Sequence, residues 1–390
     1  MIAYLVHRFP VATQTFTYDE LMVFGRTGLD MTVFSFRPGE RLDWPLGSLR
    51  VRTLPRGPSV ASLAALAWWA RRSPARLLRS VLWALAGRFL VRPTLRERVT
   101  AALSVPRGAL LARDQSIALF HAQFSNETAT TALIAAHLSG RPFSFRSHTA
   151  PNPQLLVEKL RRAAVVLAIS EHDRDELLAA APGANVVLSP LGIPIPPTVE
   201  RDREPGLVVS VGSLIEKKGH DVLIEACARL RAEGLDVRCE IAGAGHLRAK
   251  LSGLIERLGV QDAVRLLGPL SRDEVLDRVA SASVFALAAV PSKIGVDGVP
   301  IALIEAMAVG TPPVSTALSG IPELVRDGET GLLVEPGDVT ALADALRRLL
   351  TDENLRTRLG ENARTQVRAE RDAEVCYAAA AELLSGASVC

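Results

Sequence analysis

Short apolar runs alternate with helical patterns through most of this chain, and that alternation constrains the fold more than any other feature. In the first half the runs are Ile2–Val6, Met31–Phe36, Ala118–His121, Pro142–Arg146, Val165–Ile169 and Asn185–Leu188. In the second half they are Leu207–Val211, Val237–Ala242, Val264–Leu267, Ser283–Ala286, Pro313–Ser315 and Gly331–Val334. Apolar strands separated by helix-length segments predict parallel sheets with crossover helices, an α/β chain. At 390 residues the chain is too long for one core, so two doubly wound, Rossmann-like domains are expected. A hydrophobic share of 48% against 22% charged residues excludes a disordered chain.

The join between the halves is expected near residues 194–206. There Ile193-Pro194-Ile195-Pro196-Pro197-Thr198 holds the chain extended and the charged run Glu200-Arg201-Asp202-Arg203-Glu204 follows. The expected domains are therefore 1–195 and 205–372. Ligands of open parallel sheets bind beyond the carboxyl ends of the strands, so two such domains facing each other would hold a ligand in a central cleft.

No segment has the roughly 18 uninterrupted apolar residues of a membrane span, and the start, Met1-Ile2-Ala3-Tyr4, lacks the basic region of a signal peptide. Cys227, Cys239, Cys376 and Cys390 are widely spaced, with neither a CxxC pair nor a histidine at metal-ligand spacing. They read as reduced thiols of a cytoplasmic protein.

The stretch richest in chemistry is Asp297-Gly298-Val299-Pro300-Ile301-Ala302-Leu303-Ile304-Glu305-Ala306-Met307-Ala308. Pro300 suits the first turn of a helix, whose free N–H groups form an anion site, and Gly298 lets a ligand approach the backbone closely. Asp297 just before that helix and Glu305 inside it can accept hydrogen bonds from the vicinal hydroxyls of a sugar or ribose. This run resembles the E-G-x-P-x-x-x-x-E-A-M-A mark of the retaining nucleotide-sugar glycosyltransferases of family four, with Asp297 in place of the first Glu. Ser319-Gly320-Ile321-Pro322-Glu323 and Asp327-Gly328-Glu329-Thr330-Gly331 are also similar to that family.

The resemblance implies the two-domain GT-B fold, with a last helix, about Ala373 to Leu384, crossing back so that 373–390 completes the first domain. It also implies roles for individual residues. Asp297 would bind the donor sugar, Glu305 the ribose, and Gly298, Val299 and Pro300 would line the donor site. In Val211-Gly212-Ser213-Leu214-Ile215-Glu216-Lys217-Lys218-Gly219, Lys218 matches the lysine that neutralises the diphosphate. Ser213, a donor-site candidate, stands where relatives carry arginine, a loss that Lys217 or an arginine from the other domain could offset. Gly243-Ala244-Gly245 lacks the third glycine of a dinucleotide fingerprint, since Arg248 follows, but it fits the family's glycine-rich turn of close backbone approach.

On the acceptor side, Arg8-Phe9-Pro10-Val11-Ala12-Thr13-Gln14-Thr15-Phe16 looks like the R-F-P-x-x-S-E-T-F segment of members that build exopolysaccharides such as colanic acid. Arg8, Thr13, Gln14 and Thr15 are the candidates there. His148, directly after a strand, matches the family's active-site histidine, and Gln123 takes the second histidine position of an H-A-H-F motif. Asp173-Arg174-Asp175 reads as a solvated helix face rather than a metal motif. No metal and no cofactor are expected, a nucleotide diphosphate sugar being the co-substrate.

Charge is divided unevenly: residues 1–199 hold 23 Lys and Arg against 13 Asp and Glu, and residues 200–390 hold 22 against 29. Much of the basic excess lies in 56–113, with eleven Arg, one acid (Glu97) and Trp68, Trp69 and Trp83. Leu77, Val81, Leu85 and Phe89 recur every four residues, an amphipathic helix pattern. Two readings stay open: a peripheral contact with the inner face of a membrane, or helices covering the acceptor side with their arginines in water. No nucleic-acid module accompanies the charge.

The function expected is transfer of a sugar from a nucleotide diphosphate donor, a UDP-sugar by preference, to an acceptor hydroxyl in exopolysaccharide, glycolipid or natural-product glycoside synthesis. The alternatives are an aminocyclitol-type antibiotic glycosyltransferase with a soluble acceptor, a nucleotide-sugar 2-epimerase of the same fold, and a non-catalytic sugar-nucleotide binder.

Overall fold

The computed structural model describes the chain except for residues 48, 56–58, 87–94, 149–154, 198–201, 294 and 389–390, and the side chains of 86 and 95–97. Parts of the basic stretch 56–113 and of the proline-rich join, and Cys390, thus lie outside the described residues. The chain divides into two compact units, one of Met1–Pro190 with the segment from Ala373 onward, the other of Leu191–Asp372.

The first unit runs β1 (Ile2–Phe9), α1 (Thr15–Arg26), β2 (Met31–Pro38), β3 (Arg50–Thr53), α2 (Val60–Arg72), α3 (Pro74–Ala86), α4 (Leu95–Ala112), β4 (Leu119–Gln123), α5 (Glu127–Ser139), β5 (Phe143–Arg146), α6 (Leu156–Arg162), β6 (Val165–Ala168), α7 (Glu171–Ala180) and β7 (Val186–Leu188). Its parallel sheet has the order β3-β2-β1-β4-β5-β6-β7. Ile2 pairs with Met31 on one side and Leu119 on the other. Because β1 is followed by β2 in one direction and flanked by β4 in the other, the strand order reverses between β1 and β4.

The second unit continues with β8 (Glu204–Val211), α8 (His220–Ala232), β9 (Arg238–Ala242), α9 (Arg248–Arg257), β10 (Val264–Gly268), α10 (Arg272–Ser281), β11 (Ala282–Leu287), α11 (Ile301–Ala308), β12 (Pro313–Thr316), α12 (Ile321–Leu324), β13 (Leu332–Val334), α13 (Val339–Thr351) and α14 (Glu353–Glu370). Its sheet order is β10-β9-β8-β11-β12-β13, and the order reverses between β8 and β11. Then α15 (Ala373–Ala387) returns to the first unit, where Tyr377, Ala380, Ala381 and Leu384 pack with Tyr4, Leu21 and Phe24.

All twelve apolar runs are strands. Among the described residues the structure adds only β3, whose Arg50-Val51-Arg52-Thr53 carries one apolar residue on an exposed edge and so leaves no hydrophobic signal. Central strands are buried on both faces, and β11 is buried at every position, as parallel sheets covered by helices require.

Two expectations are corrected. The end of the charged run is no linker: the Arg203 guanidinium donates to Thr311 Oγ1 at 2.7 Å, Gly310 O at 2.7 Å and Ala282 O at 2.8 Å, and Glu204 opens β8. Nor is Asp173 solvated. It is buried, accepting from the Ser147 hydroxyl at 2.8 Å and the Ile169 N–H at 3.2 Å, so its carboxylate ties α7 to the ends of β5 and β6. Asp175 is exposed. Cys227, Cys239 and Cys376 are buried and form no disulfide.

Candidate active site

Loops at the carboxyl ends of strands on either side of a strand-order reversal form a crevice, because the chain leaves them in opposite directions. In the second unit those loops follow β8 and β11. The first carries Lys217 and Lys218 on a single 3-10 turn, Glu216–Lys218. The second carries Asp297. Lys217 Nζ lies 2.9 Å from Asp297 Oδ1 and Lys218 Nζ lies 2.7 Å from Oδ2.

Asp297 is 5% exposed, and burial pushes its carboxyl up, but the two ammonium groups outweigh burial and hold it below the ordinary carboxylate range. Two cations on one anion leave the group with a net positive charge. The turn that delivers them is fixed by glycines. Gly219 has φ +60°, and a Cβ there would lie 1.7 Å from Ala288 O. Gly212 lies under the aliphatic part of Lys218, where a Cβ would meet its Cδ and Cε at 3.2 Å.

Past Asp297, Gly298 and Val299 lead to Pro300, the N-cap of α11, whose extended backbone (ψ 121°) places it one position before the helix rather than in its first turn. In the first turn of α11 the Leu303 N–H donates to Pro300 O at 3.1 Å, and the N–H groups of Ile301 and Ala302 ahead of it lack partners within the helix, as at any helix start, and favour an anion. Glu305, one turn along α11 and nearly buried, meets Arg272 Nε at 3.2 Å. Arg272 opens α10 and has no signature in sequence.

The remaining donor-side candidates have structural partners. Gly243 and Gly245 make their close approach to the protein's own backbone: Cβ atoms there would lie 1.9 Å from Gly212 O and 2.3 Å from Leu214 O. They dock the loop after β9 onto the loop after β8, where Leu214 N–H donates to Ala244 O at 2.9 Å. Ser213 is half-buried in that loop. His220 opens α8 nearby, pushed down to about 4 by burial and then by Lys218, so its imidazole is neutral.

In the first unit the reversal lies between β1 and β4, and a hydrogen-bonded side-chain pair spans it. His7 Nδ1 hydrogen-bonds the Glu127 carboxylate at the start of α5, and Arg107 NH1 of α4 lies 3.7 Å from the other oxygen. Burial raises the Glu127 carboxyl, but His7 and then Arg107 and Arg37 bring it below its usual value. None of these residues stood out in the sequence, because no motif carries them.

His148 sits between the rings of Phe16 and Phe124, with centroids at 4.9 and 4.5 Å. Burial, followed by Arg146 and His121, holds it well below the ordinary histidine value. Among the described residues its Nε2 has no partner. The structure thus brings His148 together with the end of the 8–16 segment. Within that segment Arg8 is turned to Pro38 O at 3.0 Å and Glu40 at 3.4 Å, Thr13 is exposed, Gln14 is the N-cap of α1 without a side-chain cap bond, and Thr15 begins the helix.

Gln123 is fully buried, its Nε2 donating to Thr17 Oγ1 at 3.3 Å, which makes it a strut beneath the loop. Beneath His148, the Arg146 guanidinium binds Glu20 Oε1 at 2.7 and 3.1 Å and Ser189 O at 2.7 Å, and the Tyr4 hydroxyl donates to Glu20 Oε2 at 2.6 Å. This fully buried pair joins α1, β5 and the end of β7.

Among the described residues no three or more His, Cys, Asp or Glu side chains gather as metal ligands, and no helix is long and apolar enough to cross a membrane. Residues 195–366 match the family described as "Glycosyl transferases group 1". A putative colanic acid biosynthesis glycosyltransferase, WcaL, of Salmonella typhimurium is 30% identical over 369 residues, covering 88% of this chain and 89% of the relative. The alpha-D-kanosaminyltransferase of Streptomyces kanamyceticus is 34% identical over 157 residues, covering 40% of this chain and 39% of the relative. The structure of Anabaena HepE in complex with UDP and glucose superposes with a TM-score of 0.72 at 17% identity, over 99% of both chains. The fold is GT-B, and the chain belongs to the group 1 glycosyl transferases.

Proposed function

We propose that the protein transfers a sugar, with retention at its anomeric carbon, from a nucleoside diphosphate donor to an acceptor hydroxyl. The observation that carries this reading is the triad of Lys217, Lys218 and Asp297 at the strand-order reversal of the second unit, with its net positive charge beside the start of α11. A diphosphate is the anion such a group suits: the ammonium groups and helix N–H groups meet its oxygens as charge develops on the leaving group. Asp297 holds both ammonium groups in place, and its oxygens keep acceptor capacity for a donor-sugar hydroxyl. Glu305, oriented by Arg272, accepts from the ribose hydroxyls.

The anomeric carbon loses its bond to the β-phosphate oxygen and gains one to the acceptor oxygen on the same face. The departing diphosphate takes the acceptor proton, so no side chain becomes covalently attached. Positive charge for the leaving group comes from Lys217, Lys218 and α11, so turnover requires no divalent metal and no cofactor. His148, neutral and with Nε2 open, bonds a sugar hydroxyl. The His7–Glu127 pair, at the matching position of the first unit, orients the acceptor hydroxyl.

UDP is the nucleotide we favour, HepE being a protein of this fold solved with UDP and glucose. The acceptor class we favour is a polysaccharide precursor, since WcaL matches along most of the chain and the kanosaminyltransferase only in part. The test is a thermal-shift screen of nucleotide sugars followed by mass spectrometry and NMR of the products. A glycoside with the donor's anomeric configuration supports the reading. A new sugar nucleotide formed without acceptor identifies an epimerase instead, and binding without release of nucleoside diphosphate identifies a non-catalytic binder.

A further inference from the structure

The helical pair α2 and α3 is the most unusual surface of the first unit. Among the described residues nine large hydrophobic side chains are exposed, and six of them, Val60, Leu63, Leu78, Leu82, Leu85 and Val99, fall within residues 60–99. On α3 the pattern is ordered. Ser80 and Ala84 are buried, and Leu77 and Val81 pack against the core. Leu78, Leu82 and Leu85, at i, i+4 and i+7, form a separate stripe that is 60%, 53% and 48% exposed. At 100° per residue that stripe is turned off the packed face and Arg79 lies at its flank, while Arg76 and Trp83 are turned to α5, where they meet Leu138 O at 3.2 Å and the His137 ring at 4.6 Å.

The charge along α2 and α3 has one sign. No acidic residue occurs between Ser59 and Ala86, while Arg71 and Arg72 end α2 and Arg76 and Arg79 lie on α3. Two tryptophans hold guanidinium groups in pairs. Trp68 has Arg72 and Arg113 at 5.3 and 5.6 Å from its ring centroid, and Trp83 has Arg79 and Arg162 at 5.5 and 4.8 Å. Stacking on indole fixes cations that would otherwise repel one another, at the level where an indole ring meets an interface.

We infer that the α2–α3 face docks onto an anionic phospholipid surface, Leu78, Leu82 and Leu85 entering the acyl boundary while Arg71, Arg72 and Arg79 meet lipid phosphates. Charge complementarity selects this occupant: an apolar face for a second copy of the chain would bring two sets of unopposed arginines together. The inference goes beyond the transfer reaction and is tested without sugar nucleotides, so its failure leaves the proposed donor chemistry standing.

The test is flotation of the full chain with extruded vesicles of phosphatidylcholine alone or mixed with phosphatidylglycerol. The protein floats with the phosphatidylglycerol vesicles, stays behind with phosphatidylcholine, and is released as salt rises. Replacing the stripe (Leu78→Ser, Leu82→Ser, Leu85→Ser) weakens binding at least tenfold, with an unchanged melting temperature showing that the fold is kept. Arg71→Gln with Arg79→Gln does the same and reduces the salt dependence. Equal binding to both vesicles, no binding to either, or wild-type binding by the leucine variant overturns the inference. So does a dimer in size-exclusion chromatography that the leucine variant dissociates, since a second copy then covers the face.

Discussion

Lys218 Nζ and Asp297 Oδ2 are 2.7 Å apart although they stand on loops that leave β8 and β11 in opposite directions. That pair, joined by Lys217 at 2.9 Å, converts the reversal of strand order into a positively charged group. Asp297→Ala removes both the anchor of the ammonium groups and the proposed acceptor of a donor-sugar hydroxyl. We expect transfer to fall about 100-fold, the size typical of losing one positioned group in the transition state, with nucleotide affinity changed less than tenfold. Steady-state kinetics beside nucleotide titration reads both, and near-normal turnover would remove Asp297 from the mechanism.

Gly219 is a backbone requirement. Its φ of +60° and the 1.7 Å approach that a Cβ would make to Ala288 O leave no room for alanine. Gly219→Ala should destabilise the protein by more than about 2 kcal/mol in denaturant melts. It should also weaken nucleotide binding, because the turn it caps carries Lys217 and Lys218.

The Arg146–Glu20 pair is fully buried in the first unit. Glu20→Gln leaves the guanidinium without its counter-charge, which costs about 3–5 kcal/mol when a buried pair is broken on one side. Chemical denaturation measures it, and a loss below about 1 kcal/mol would mean that Arg146 is repaired by Ser189 and Tyr4 alone.

Stability should fall on acidification before the carboxylates titrate. Burial followed by Arg146 pushes His121 down to about 3, and burial followed by Lys218 pushes His220 down to about 4, against 6.5 in the unfolded chain. Below pH 6.5 the unfolded state then binds more protons than the native state, so stability is lost as pH drops through 6.5 and continues to fall toward those depressed values. Between pH 6.5 and 5 the loss is about 2 kcal/mol for each histidine. His220→Gln should flatten that slope in denaturation series at the two pH values. The depressed carboxyl groups of Glu127 and Asp297 add losses of the same sign only at lower pH.

The strands were legible because parallel sheets buried on both faces demand continuous apolar runs, and β3 escaped because an exposed edge makes no such demand. The donor loops were legible because their residues are contiguous: Lys217, Lys218 and the run from Asp297 to Glu305 each lie within one stretch. His7, Glu127, Arg107 and Arg272 were not, since each acquires meaning only from a partner far away in sequence. Asp173 shows the converse. A local pattern implied solvent, and the structure buries its carboxylate on the Ser147 hydroxyl and the Ile169 N–H.

The most direct test of the account is calorimetric titration of UDP-glucose, UDP-galactose, UDP-N-acetylglucosamine and GDP-mannose into the wild-type chain and into Lys217→Ala with Lys218→Ala. At least one of these nucleotide sugars should bind, and the double variant should weaken it tenfold or more while keeping its melting temperature. Binding that is unchanged in the double variant, or no binding of any of the four by the wild type, would contradict the proposed donor chemistry.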